Sequence, residues 1–133
     1  ENRTWPPEID VWEYFGKFFR TNRKDEMYFR YIYGVWNDKK DDSYVLPNFQ
    51  ATYNSSAQHR VYGFKWTKDD MKWYIDGVLV HTKTKGVEVP EIDWPNQPMC
   101  MVINNGLMSV VEEGNTAFPN YLILDYFKVY EKN

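Results

Sequence analysis

The chain has 133 residues with six Trp, eleven Tyr and eight Phe, and 19 acidic against 16 basic residues give it a formal net charge of −3. No apolar run approaches the roughly 18 residues that a membrane-spanning helix requires, and lysines and arginines scattered among acids form no basic stripe of the kind that tracks phosphates. Membrane insertion and nucleic-acid binding are therefore not expected, and the size fits one globular domain over residues 1–133.

Glu1 is not an initiator methionine and no charged-then-apolar signal segment follows it. The start reads as processed or trimmed. Short runs rich in Tyr, Trp, Phe, Val and Ile then follow at residues 9–15, 27–36, 60–66, 71–75, 78–82, 98–104 and 121–130, each bounded by Gly, Pro, Asn or Asp. Such residues favour pleated, half-buried strands, and about seven of them with turn signals between predict an all-β sandwich. No segment holds a 3.6-residue apolar period over ten residues. The charged stretches 20–26 and 37–43 read as solvated loops.

Three local features are sharper. Asp76-Gly77 separates two apolar runs and supplies the positive backbone angles of a two-residue type I′ turn, so 71–75 and 78–82 are predicted to pair as a hairpin. In 121–130, Leu122, Leu124, Tyr126 and Lys128 alternate with Ile123, Asp125, Phe127 and Val129. Both faces are largely apolar, which predicts an inner strand covered on two sides. Cys100 is the single cysteine; within Met99-Cys100-Met101-Val102-Ile103 it reads as a small hydrophobe in a core strand.

The chemistry concentrates near the start. Trp5-Pro6-Pro7-Glu8-Ile9-Asp10-Val11-Trp12-Glu13 puts three carboxylates within six residues of an otherwise aromatic and β-branched stretch. In a regular strand Glu8 and Asp10 share a face and Glu13 points the other way. One extra residue, a β-bulge near Val11 or Trp12, returns Glu13 to the face of the other two, and bulges are frequent beside active sites. Glu8 and Glu13 are then about four strand steps apart, roughly 13 Å of backbone. Glutamates leaning toward each other across that span reach the ~5 to 5.5 Å carboxyl separation of a retaining glycosidase. Like-charge repulsion and partial burial raise the pKa of at least one acid, leaving a protonated group beside an ionised one. The competing reading is an edge strand whose acids simply face water.

At these residues the chain resembles a known family. Glu8-Ile9-Asp10-Val11-Trp12-Glu13 is similar to the E-x-D-x-x-E signature of family 16 glycoside hydrolases, the laminarinase, agarase and carrageenase group with a concanavalin-like jelly-roll fold. His59-Arg60-Val61-Tyr62-Gly63-Phe64-Lys65-Trp66-Thr67 and Trp73-Tyr74-Ile75-Asp76-Gly77 resemble its H-x-Y-G-x-x-W-T and W-Y-V-D-G strands. The strand at 98–104 and the closing 118–130 segment resemble later motifs of the family, in the same order. The resemblance implies that Glu8 is the nucleophile, that Glu13 is the general acid and base, and that Asp10 tunes the pair. It implies hydrolysis of a β-linked polysaccharide or oligosaccharide, with β-1,3 or mixed-linkage glucan first and agar-type galactan second. It also implies a secreted, periplasmic or cell-surface setting, since a polymer does not cross a membrane intact.

Sugar faces pack on aromatic rings, which makes Trp5, Trp12, Tyr33, Trp36, His59 and Trp94 candidate substrate-binding residues, with Asn104 either facing the cleft or capping a turn. Tyr33-Gly34 falls where many members have His-Tyr-Gly or His-Trp-Gly, so a histidine near the acids is replaced, on this reading by tyrosine. Asp125 matches an aspartate that binds a structural calcium ion in several members; no other cofactor is implied. Only seven residues precede Glu8, whereas in the family the catalytic strand lies mid-chain. The resemblance thus covers the C-terminal half of the domain without its N-terminal strands. A second chain or a homodimer completing the sandwich is one consequence; a fragment inactive without a partner segment is another. A carbohydrate-binding module or lectin-like sandwich is the alternative to an enzyme.

Overall fold

The computed structural model describes residues 5–15, 25–55, 57–106 and 121–131. By internal contacts the chain divides into two units, 1–99 and 100–133, which are described separately.

The first unit is built from strands β1 (Glu8–Phe15), β2 (Glu26–Val35), β3 (Asp38–Pro47), β4 (Tyr62–Trp66), β5 (Asp70–Ile75) and β6 (Val78–Thr84). They form two three-stranded antiparallel sheets, β1-β2-β3 and β4-β5-β6. A short helix, α1 (Phe49–Tyr53), joins them, and a single 3₁₀ turn, Glu91–Asp93, follows β6. The fold is all-β. Its core is a period-2 product: Met27, Phe29 and Tyr31 of β2 and Met71, Trp73 and Ile75 of β5 are buried on the facing sides of the two sheets, with Phe49, Val89 and Trp94 filling between them. Trp73 fastens the sheets by donating its indole N–H to the Asp10 carbonyl at 3.0 Å.

The β5–β6 hairpin forms as the Asp-Gly pair requires, with Asp76 at φ 50° and Gly77 at φ 81°. The Asp76 carboxylate also accepts from the Val61 N–H and the Arg60 guanidinium, both at 2.9 Å, and these contacts hold its pKa below the usual carboxylate value. Asp25, inside the stretch read as a loop, starts α1: its carboxylate accepts from the N–H groups of Gln50 at 2.7 Å and Ala51 at 3.3 Å.

Several sequence expectations are corrected. Of the charged segment 37–43, only Asn37 is in a turn; residues 38–43 are the first part of β3, which pairs with β2 along its full length. It is the outer strand of its sheet and largely exposed. Charges are how edge strands resist further pairing, so the pattern that reads as solvated loop is also that of an edge. In the second unit, residues 100–106 and 121–131 are exposed and carry no strand pairing, and Cys100 is exposed rather than core. Ile123 is 71% exposed and Val129 78%. Apolar alternation states which faces a strand would bury; a strand also needs a neighbouring backbone, and none pairs with these segments among the described residues. Residues 20–24 and 107–120 lie outside the described set.

A buried ion pair crosses between the sheets. Lys83 of β6 is 1% exposed and its ammonium meets the Asp42 carboxylate of β3, while His81 stacks on Tyr44 at 4.6 Å and 6°. Asp42→Ala is expected to lower stability by about 3 kcal/mol in urea titrations, because it strands a buried ammonium. Lys83→Met is expected to change it by less than about 1 kcal/mol, since the remaining carboxylate reaches water and the new side chain packs. Equal losses from the two variants would contradict this account of the pair.

Candidate active site

The register of β1 on β2 decides which way the acids point. Glu8 lies opposite Ile32 and Asp10 opposite Arg30, but Glu13 lies opposite Tyr28, so three residues of β1 are spanned by two of β2. The irregularity falls between Asp10 and Glu13. One extra residue at Val11-Trp12 restores the phase, and Glu8, Asp10 and Glu13 share a face with Tyr28, Arg30 and Ile32. The opposite face of β2 is the core.

Arg30 organises the acids. Its side chain is 15% exposed and contacts Asp10 at 3.7 Å, Glu13 at 3.2 Å and Asp41 of β3 at 3.6 Å. Burial, then the charges of Glu13 and Glu8, push the Asp10 carboxyl up to about 7, against the opposing pull of Arg30. A hydrogen bond with Glu8 acts in the same direction, with the proton on Asp10. Asp10 therefore keeps a proton at pH values where an ordinary carboxyl has lost it. The unfolded chain releases this proton near 3.8 and the folded chain near 7, so between those values the folded state binds more protons and stability falls as pH rises. Asp10→Asn is expected to flatten that decline in melting temperatures measured from pH 4 to 7.5; an unchanged slope would show that Asp10 is not its source.

Beyond Glu8 the face becomes aromatic. Trp5 donates its indole N–H to a Glu8 carboxylate oxygen at 2.5 Å. The Trp5 ring meets Trp36, in the β2–β3 turn, edge to face at 5.2 Å and 72°, and the Lys39 ammonium stands 4.9 Å from the first ring centroid and 5.6 Å from the second. Trp36 is 66% exposed. The site thus joins three acids, a guanidinium and an indole pair on one surface.

The other sequence candidates fall elsewhere. Tyr33 is on the core face of β2, stacked on Tyr31 at 5.2 Å and 24°. The β2 residue opposite Glu8 is Ile32, so Tyr33, one position on, lies on the other face and not beside the acids. Trp12 packs against the core and meets Tyr62 at 5.4 Å. Trp94 is 5% exposed and donates its indole N–H to the Thr67 carbonyl at 3.2 Å, so it is a core residue and not an open platform. His59 is exposed in the loop before β4. Asn104 and Asp125 are exposed in the second unit. Among the described residues no group of three or more His, Cys, Asp or Glu is placed to hold a metal ion. Arg30 and Lys39 were not singled out as parts of this site by sequence; once the bulge is granted, parity on β2 points to Arg30, but the register itself is not written in any one strand.

Among the described residues β1 is the outer strand of its sheet, and its bulge gathers the three carboxylates on one face. The chain belongs to the Glycosyl hydrolases family 16, whose model matches residues 1–117. A beta-glucanase of Paenibacillus polymyxa is 31% identical over 80 residues, covering 57% of this chain and 31% of that protein. A beta-glucanase of Rhodothermus marinus is 30% identical over 82 residues, 53% of this chain and 28% of that protein. One from Brevibacillus brevis is 25% identical over 80 residues, 55% and 28%. The chain thus matches about three tenths of the length of these curated relatives. No solved structure matches it at the same level of significance.

Proposed function

We propose that the protein carrying this chain is a retaining endo-glycosidase that hydrolyses a β-linked polysaccharide by double displacement, outside the cytoplasm, where its polymeric substrate is found. The observation that carries this reading is the bulge, which brings Glu8 and Glu13 to one face with Asp10, its carboxyl pushed up to about 7, between them. In the first step a Glu8 oxygen bonds to the anomeric carbon as the glycosidic C–O bond breaks, and Glu13 gives its proton to the departing oxygen. In the second, Glu13 takes a proton from water, the water oxygen bonds to the anomeric carbon and the Glu8 ester bond breaks. The Trp5 N–H and the Asp10 proton both meet Glu8, orienting its carboxylate and moderating its charge. Glu13 enters the first step protonated, and Arg30 stabilises the carboxylate that it becomes once the proton has left.

The relatives named beta-glucanase support a β-glucan as substrate; the reading takes a β-1,3 or mixed-linkage glucan first within that class, and an agar-type galactan second. New reducing ends from laminarin or a mixed-linkage glucan test the reading. Retardation on gels containing those polymers, with no reducing ends formed, would instead identify a carbohydrate-binding module. A second reading, activity only with a partner segment or a second copy, is favoured by the place of β1 at the outer edge of its sheet. In that case a separately made upstream segment, or dimerisation, is required for turnover.

A further inference from the structure

A second concave surface lies apart from the carboxylate face. It is a shallow, open depression of about 520 Å³, lined by Trp66, Thr67 and Lys68 at the end of β4, by Lys85 after β6, and by residues 94–98. None of the three acids, nor Arg30, Trp5 or Trp36, lines it.

Its position follows from the strands. Trp66 continues the row of Tyr62 and Phe64, which pack on the core, but at the end of the sheet the core runs out and the indole is 37% exposed. Buried Trp94 and Pro95 stand behind it, and the exposed Asn96 and Gln97 complete the rim. The walls are tied down. Thr67 N–H donates to the Asp70 carbonyl at 2.8 Å, the Lys85 N–H to the Asp69 carbonyl at 2.9 Å, the Trp94 indole to Thr67, and the Tyr31 hydroxyl to the Asp93 carbonyl at 2.5 Å. A depression held this way loses little freedom when filled.

We infer that this depression is a second, non-catalytic glycan-binding site, holding a stretch of the polysaccharide whose other part is cleaved on the carboxylate face. A partly exposed indole offers an apolar face to the C–H side of a pyranose, while two amides and two ammonium groups around it meet the ring hydroxyls. The lining contains no carboxylate that could act as nucleophile or acid. Tethering one segment of a polymer raises the effective concentration of the rest at the catalytic face. The choice of a β-glucan as ligand rests on the function proposed above; the existence of the site does not rest on turnover.

The test uses the full chain carrying Glu8→Gln, so that polymer is not consumed, and Trp36→Ala, so that the catalytic platform contributes least. Native gels containing laminarin or a mixed-linkage glucan are expected to retard this protein. Adding Trp66→Ala should weaken the apparent affinity about tenfold, the scale of a central aromatic contact. Asn96→Ala with Gln97→Ala, at exposed positions that do not support the fold, should weaken it in the same direction. With Glu8 and Trp36 intact, these changes should lower the rate on polymer but not on a short soluble oligosaccharide. Retardation untouched by either variant, or absent from the start, overturns the second site. Reducing ends released by the unsubstituted protein would in that event still uphold the proposed function.

Discussion

Glu8→Gln is expected to reduce hydrolysis of a susceptible glucan by at least ~10³-fold, with little change in affinity for the polymer. The amide has the size of the carboxylate and still accepts from the Trp5 N–H, so the face remains assembled. What it loses is the anionic oxygen that, on the proposed mechanism, forms the glycosyl ester. Glu13→Gln is expected to be comparably damaging on a glucan, whose departing hydroxyl needs a proton, yet to spare formation of the intermediate from an aryl glycoside with an acidic phenol. The two glutamates are therefore separable by leaving group. Assays on both substrates check this: loss of the same size for both variants on both substrates would remove the distinction between nucleophile and acid.

Arg30→Met is the second large effect expected, and it acts on folding and chemistry together. The guanidinium is mostly buried and touches Asp10, Glu13 and Asp41. Removing it leaves carboxylates facing one another without their common counter-charge, at a cost of about 3 kcal/mol, the lower end for breaking buried ion pairs because Asp41 reaches water. The sign with pH follows. Arg30 pulls the Asp10 pKa down, so its loss sends that pKa further up, and the destabilisation should be greater at pH 8, where the acids are charged, than at pH 4. Urea titrations of both proteins at the two pH values measure it. A loss that is independent of pH would mean that Arg30 contributes by packing rather than by charge.

The sequence carried some of this architecture in readable form. The E-x-D-x-x-E spacing is out of phase for a strand, and a single bulge is the cheapest repair; the register of β1 on β2 contains it between Asp10 and Glu13. Asp76-Gly77 specified its hairpin because few residue pairs tolerate both positive angles. What was hidden depends on neighbours. Whether 37–43 is loop or edge strand turns on β2 offering it hydrogen bonds, and its own charges serve both cases. Tyr33 and Trp94 are aromatic in the way that a sugar platform is aromatic; only the parity of β2 and the Trp94–Thr67 hydrogen bond assign them to the core. Arg30 is one of several scattered basic residues until pairing sets it opposite Asp10. The alternation in 121–130 shows the same limit from the other side, since it marks a capacity for burial that the described residues do not fulfil.

The central claim is that Glu8 and Glu13 carry out two displacements at one anomeric carbon. Proton NMR of the first sugar released from a β-glucan, recorded before mutarotation, tests it most directly. Two inversions return the starting configuration, so the new reducing end should appear first as the β anomer and only later equilibrate. An α anomer formed first would mean a single displacement by water, and would contradict both the nucleophilic role of Glu8 and the acid–base role of Glu13.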